Sequence, residues 1–156
     1  MVRVLALTCM LSLFCCAPKP AGQIKGYEYS KHGCTAYPLE NYTFYFDESG
    51  KALIDVVTRE GLKKTFPAPA ELPGQIDSLV RKHKLWKLKE GYRPPFQVYD
   101  GYNWNLRIRY EENSIYSGGV NAWPGEKLRD GIREINKLLR AVVEAAGEMD
   151  VAEPSE

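Results

Sequence analysis

The chain has 156 residues, enough for one domain with a sizeable core and short for two. Lys and Arg total 21 against 20 Asp and Glu, and a formal charge of +1 gives no electrostatic reason to expect nucleic acid as a partner. Gly and Pro counts of 13 and 10 exclude a collagen-like or low-complexity chain, and no apolar run reaches the ~20 residues of a membrane-spanning helix.

Arg3 precedes an uncharged apolar run over residues 4–14 (VLALTCMLSLF), the length of a signal-peptide core and about half of a membrane span. The run ends at Cys15-Cys16, and Ala17-Pro18-Lys19-Pro20 cannot continue a helix. A conventional cut after Ala17 would place Pro18 just beyond it, where proline is a poor substrate. The segment instead resembles a bacterial lipoprotein signal, in which a Cys becomes the lipidated first residue of the mature chain. Cys16 has Leu13 at −3 and the small Cys15 at −1, whereas Cys15 would have Ser12 and the bulky Phe14. Residues 1–15 are therefore expected to be a signal peptide, Cys16 the lipidated residue and residues 16–24 the lipidated Cys and its tether. Two or more acyl chains hold such a protein to a membrane without help from charge. No acidic residue follows within residues 17–25, which favours a periplasm-facing place at the outer membrane over surface display.

Residues 26–32 read as a first strand, and residues 41–47 (NYTFYFD) alternate, with Tyr42, Phe44 and Phe46 on one face. A turn at residues 48–51 leads to a β-branched strand over 52–59, and Glu60-Gly61 turns the chain into residues 62–66. Pro67, Pro69 and Pro73 then interrupt it, and the period changes: Ile76, Leu79, Val80, His83 and Trp86 follow helical spacing over residues 75–86. Arg81, Lys82, Lys84, Lys87 and Lys89 fit the wet face of that helix. A second strand group follows over residues 97–100, 102–111 and 114–120. In its long member Trp104, Leu106, Ile108 and Tyr110 share one face, and Asn105, Arg107, Arg109 and Glu111 share the other.

The last helix has the clearest periodicity. Leu128, Ile132, Ile135, Leu139, Val142 and Ala146 form one apolar stripe, with Pro124 before it and Gly147 after it. Strands in runs with two helices predict an α+β fold: an antiparallel sheet of about five or six strands with two helices packed on one face. Residues 25–147 form the single domain, and residues 148–156 form an acidic mobile tail. His32-Gly33-Cys34, residues 42–47 and residues 117–124 (SGGVNAWP) resemble small envelope lipoproteins of Bacteroidetes bacteria that belong to a domain-of-unknown-function family. That resemblance implies an envelope location and this order of strands and helices, and it brings no activity and no catalytic residue.

Chemistry-bearing patterns are sparse. Cys34 and His32 are two residues apart and would share a face of one strand, but a reactive thiolate needs a cationic neighbour or a helix N-terminus, and only Lys31 is at hand. Cys34 reads better as a small apolar thiol packed in the sheet. His32, Cys34 and His83 lack the spacing of a zinc site, Ser117-Gly118-Gly119 lacks the Lys-Ser/Thr of a phosphate loop, and no G-x-S-x-G elbow occurs. The sequence therefore assigns no catalytic residue, no metal and no cofactor. It does show dense aromatics between residues 92 and 123, beside polar turn residues, the mixture that binds sugars, peptides or proteins. Trp123, Asn121, Asp100, Tyr102 and Tyr99 are the candidate binding residues, with Trp123 held by Pro124 at low entropic cost. Two functions stay open. One is a lipid-anchored, non-catalytic binding or accessory module for a glycan, peptide or envelope protein. The other is a small envelope hydrolase or transferase whose site is assembled from distant residues, with Cys34 and His32 as candidates.

Overall fold

A computed structural model describes residues 18–33, 38–58, 61–96 and 101–147. It contains strands β1 (Ile24–His32), β2 (Pro38–Phe46), β3 (Ala52–Val57) and β4 (Lys63–Pro67), then helix α1 (Leu72–His83) and a 3-10 turn (Leu85–Lys87). Strands β5 (Asn103–Tyr110) and β6 (Ser114–Val120) and helix α2 (Glu126–Ala145) complete it. The strands make one antiparallel sheet in the order β4-β3-β2-β1-β5-β6, and the fold is α+β.

Alternation decides the two faces of this sheet. In register, Phe66, Ile54, Phe44, Tyr27, Ile108 and Ile115 cross all six strands as one apolar row, and none is more than 2% exposed. One residue along, the row is Thr65, Asp55, Thr43, Glu28, Arg107 and Tyr116, which faces away from the core. There the buried Asp55 carboxylate accepts from Thr65 Oγ1 at 2.6 Å and pairs with Lys63 at 2.7 Å.

Both helices lie on the apolar face, as expected. Tyrosines of that face reach each of them: Tyr110 Oη donates to Asp77 Oδ1 at 2.8 Å in α1, and Tyr27 Oη donates to Asn136 Oδ1 at 2.6 Å in α2. The helices also touch each other closely, because a Cβ at Gly131 would run into His83 and Leu85. His83 is buried there, with Nδ1 3.0 Å from the Lys127 carbonyl and Nε2 3.1 Å from Glu134. It ties α1 to α2. Among the described residues no helix is long and apolar enough to cross a membrane.

Several boundaries differ from expectation; β1 and β2 begin at Ile24 and Pro38, before residues 26 and 41. Helix α1 begins three residues early, because Pro73 sits in its first turn, where a missing N–H costs nothing, rather than breaking it. It ends at His83, where Lys84 takes a left-handed φ of 56° and hands the chain to the 3-10 turn that carries Trp86. On α2 Val143 is buried, as a residue widening the stripe should be, while Ala146, the last position of the expected stripe, is exposed. The segment expected as a tether is docked from Lys19 onward. The Lys19 carbonyl accepts from Asn113 Nδ2 at 2.7 Å, and Gln23 N donates to Glu111 Oε2 at 2.8 Å. The strand expected at residues 97–100, the lipidation site Cys16, Cys34 and the tail 148–156 lie outside the described residues.

The basic run on α1 behaves as a solvated face, with Arg81 paired to Asp77 and Lys82 to Glu134, both at 2.8 Å.

Candidate functional site

The strand ends farthest from the N-terminal entry carry the aromatic cluster. Trp104 is fully buried on β5, and its indole Nε1 donates to the Ala122 carbonyl at 2.8 Å. Gly119, opposite Trp104 in register, leaves room for that indole, since a Cβ there would overlap Trp104 and Ala122. Trp123 stacks on Trp104 with centroids 4.9 Å apart and planes 6° from parallel, and Tyr102 stacks on Trp123 at 5.6 Å. Tyr92 continues the column on Trp104 at 6.0 Å. Trp123 is half-buried, so it is both a plug over the core and part of a wall.

That wall faces a groove of about 880 Å³ between α2 and the ends of β1, β2 and β5. On the sheet side it is lined by Tyr29, Lys31 and Glu40, with Tyr102 and Trp123 beside them. On the helix side Arg129, Arg133, Asn136 and Arg140 follow one another at spacings of four, three and four, a single stripe about 16 Å long at 1.5 Å per residue.

The two ends of the groove differ in charge. At one end Arg140 reaches Glu40 at 3.1 Å and donates from Nε to Tyr42 Oη at 3.3 Å, which closes that end as a neutral pair. Burial pushes the Glu40 carboxyl above its ordinary range, against the pull of Arg140 and Lys31. Toward the other end Arg129 lies over the Trp123 ring at 5.3 Å. Lys31, opposite Glu40 in register, lies over the Tyr102 ring at 5.6 Å. Neither cation has a carboxylate within ion-pair distance among the described residues, and the buried Arg129 Nε has no hydrogen-bond partner among them. Burial raises the Tyr29 and Tyr102 phenols, while the nearby Arg129 charge pulls both back down. Both phenols are therefore neutral hydroxyls at physiological pH.

No protein-family model matches the chain, and no curated protein matches it in sequence.

Of the residues singled out in the sequence, the groove brings together Trp123 and Tyr102. Asn121 stands next to them but turns inward. It adopts a left-handed φ of 50°, its Oδ1 accepts from Tyr102 N at 2.8 Å, and its own N–H donates to the Tyr102 carbonyl at 2.9 Å. Its side-chain oxygen thus fixes the loop that carries Trp123. Asp100 and Tyr99 lie outside the described residues. His32 is half-buried at the end of β1, and Cys34, its candidate partner, is likewise outside them. Among the described residues no three His, Cys, Asp or Glu side chains cluster in a way that could hold a metal ion.

Sequence reasoning missed the groove's cations. A signal was present: Lys31 continues the inward parity of Tyr27 and Tyr29, and the stripe from Arg129 to Arg140 runs one residue beyond Leu128, Ile132 and Leu139.

Proposed function

We propose that the protein is a lipid-anchored module of the bacterial cell envelope that binds a ligand without transforming it, and that the groove beside α2 is its binding site. The observation that carries this reading is the groove itself. Its volume of about 880 Å³ falls in the range of small-molecule sites, roughly 300–1,000 Å³, and it joins aromatic walls to a few directional polar groups. A reaction needs a nucleophile or base held against an activating partner. The groove's one partly buried carboxylate, Glu40, is engaged by Arg140.

The start of the described chain and the groove are compatible with an anchor at Cys16. A lipid on Cys16 would lie two residues before Pro18, and the chain docks against Asn113 at Lys19, at the β5–β6 hairpin end of the sheet. Tyr29 and Lys31 lie toward the opposite end of β1. From Ile24 to Lys31 is roughly 23 Å at about 3.3 Å per residue. The groove thus stands away from the point where the chain would leave the membrane, facing the periplasm in the orientation that the residues after Cys16 favour.

Incubating the mature chain with fractionated envelope glycan and peptide digests tests the reading. A component retained by the wild type, recovered with unchanged mass, and lost from Ala141→Trp, which places an indole in the groove from an exposed helix position, is the expected result. Recovery of a cleaved or modified component would establish the hydrolase or transferase instead.

A further inference from the structure

The groove's charge and its surroundings define the ligand more narrowly, on the basis of the binding role proposed above. We propose that the groove takes an acidic oligosaccharide, with a carboxylate seated between Arg129 and Lys31 and sugar rings lying along α2.

The anionic group follows from the unmatched cations. Arg129 and Lys31 rest on the faces of Trp123 and Tyr102, and neither has a carboxylate within ion-pair distance among the described residues, with Glu40 opposite Lys31 in register held by Arg140 instead. Arg129 Nε is buried without an acceptor among the described residues, a costly state that an incoming carboxylate oxygen relieves. The far end is already matched by the Arg140–Glu40 pair. Arg133, Lys137 and Glu144 also line the groove, so its lining carries more cations than carboxylates.

The saccharide follows from what borders the groove. One common mode of peptide recognition adds an extended strand to a free sheet edge. Here β1 lies between β2 and β5, β2 between β1 and β3, and β5 between β1 and β6, so no strand lining the groove has an unpaired edge. What the groove offers instead is side-chain chemistry suited to hydroxyl-rich rings: neutral phenols at Tyr29 and Tyr102 and the Asn136 amide. Its volume also suits a short oligomer better than a folded partner.

Calorimetric titration of the mature chain with trigalacturonic acid, its fully methyl-esterified form and tri-glutamate reads the carboxylate, the sugar and the peptide separately. Trigalacturonic acid should bind the wild type, and the ester should bind about tenfold or more weakly. Arg129→Gln should weaken the acid by a similar factor while leaving the ester unchanged, and Lys31→Gln should do the same if Arg129→Gln does not fold. Equal binding of acid and ester, or of wild type and both Gln variants, would overturn the anionic subsite while leaving a groove that binds. Tighter binding of tri-glutamate than of the trisaccharide would overturn the saccharide. No binding by any of the three at millimolar concentration would overturn the whole inference. The retention of envelope fractions and its loss in Ala141→Trp would still decide the binding role separately.

Discussion

Tyr27→Phe removes one hydroxyl from the middle of the sheet and leaves the carbon skeleton in place. The Tyr27 side chain is fully buried, Asn136 is 6% exposed, and the hydroxyl donates to Asn136 Oδ1 at 2.6 Å. Without that donor the amide oxygen stays buried and unpaired, at a cost of about 1–3 kcal/mol. Asn136→Leu has the converse effect, leaving the phenol without its acceptor at a similar cost. The double variant contains neither polar group, so its destabilisation should fall short of the sum of the single values by about 1 kcal/mol or more. Urea unfolding of the mature chain, followed by far-ultraviolet circular dichroism, gives the three values. Unchanged m-values would show that the unfolding transition exposes the same surface in each. Strictly additive losses would refute the hydrogen bond as the tie between β1 and α2.

Truncating Ile135 or Leu139 to Ala, both fully buried beneath α2, should cost about 2–5 kcal/mol in the same assay, and a loss below about 1 kcal/mol would show that α2 does not close the core. The raised Glu40 pKa predicts a pH effect of definite sign. The fold holds the Glu40 proton more tightly than the unfolded chain does, so its contribution is fully present at acid pH and is lost as pH rises through the folded value. Glu40→Gln should therefore reduce the stability that the wild type loses between its unfolded carboxylate range and neutrality, and parallel stability–pH curves would contradict this. Metabolic labelling with an alkyne fatty acid should tag the wild type and lose the tag in Cys16→Ala. A retained tag would move the site to Cys15, and an unlabelled wild type would remove the anchor.

The fold was readable where one face of a strand or helix is uniformly apolar. Trp104, Leu106, Ile108 and Tyr110 alternate with Asn105, Arg107 and Arg109, and the structure buries the first set against the helices. Pro73 misled the placement of α1 because a proline near a helix start and a proline that breaks a chain look alike without the preceding backbone. The site was half legible. Tyr102 and Trp123 stand out as aromatics in a polar loop, but Arg129, Arg133 and Arg140 occupy the border of an amphipathic stripe, where arginine is ordinary. Only the packing of α2 across β1 turns that border toward Lys31 and makes the two into opposite walls of one groove. Asn121 shows the converse, a polar loop residue whose side-chain oxygen and backbone N–H both hold Tyr102 in place.

The most direct measurement is the footprint of a bound ligand. Two-dimensional amide spectra of the isotope-labelled mature chain, recorded as the retained envelope component is titrated in, locate the contact residue by residue. Shifts concentrated at Tyr29, Lys31, Tyr102 and Trp123 and along Arg129, Arg133, Asn136 and Arg140 are the predicted result. Shifts confined to the opposite face of the sheet, around Glu28, Thr43, Arg107 and Tyr116, would contradict it.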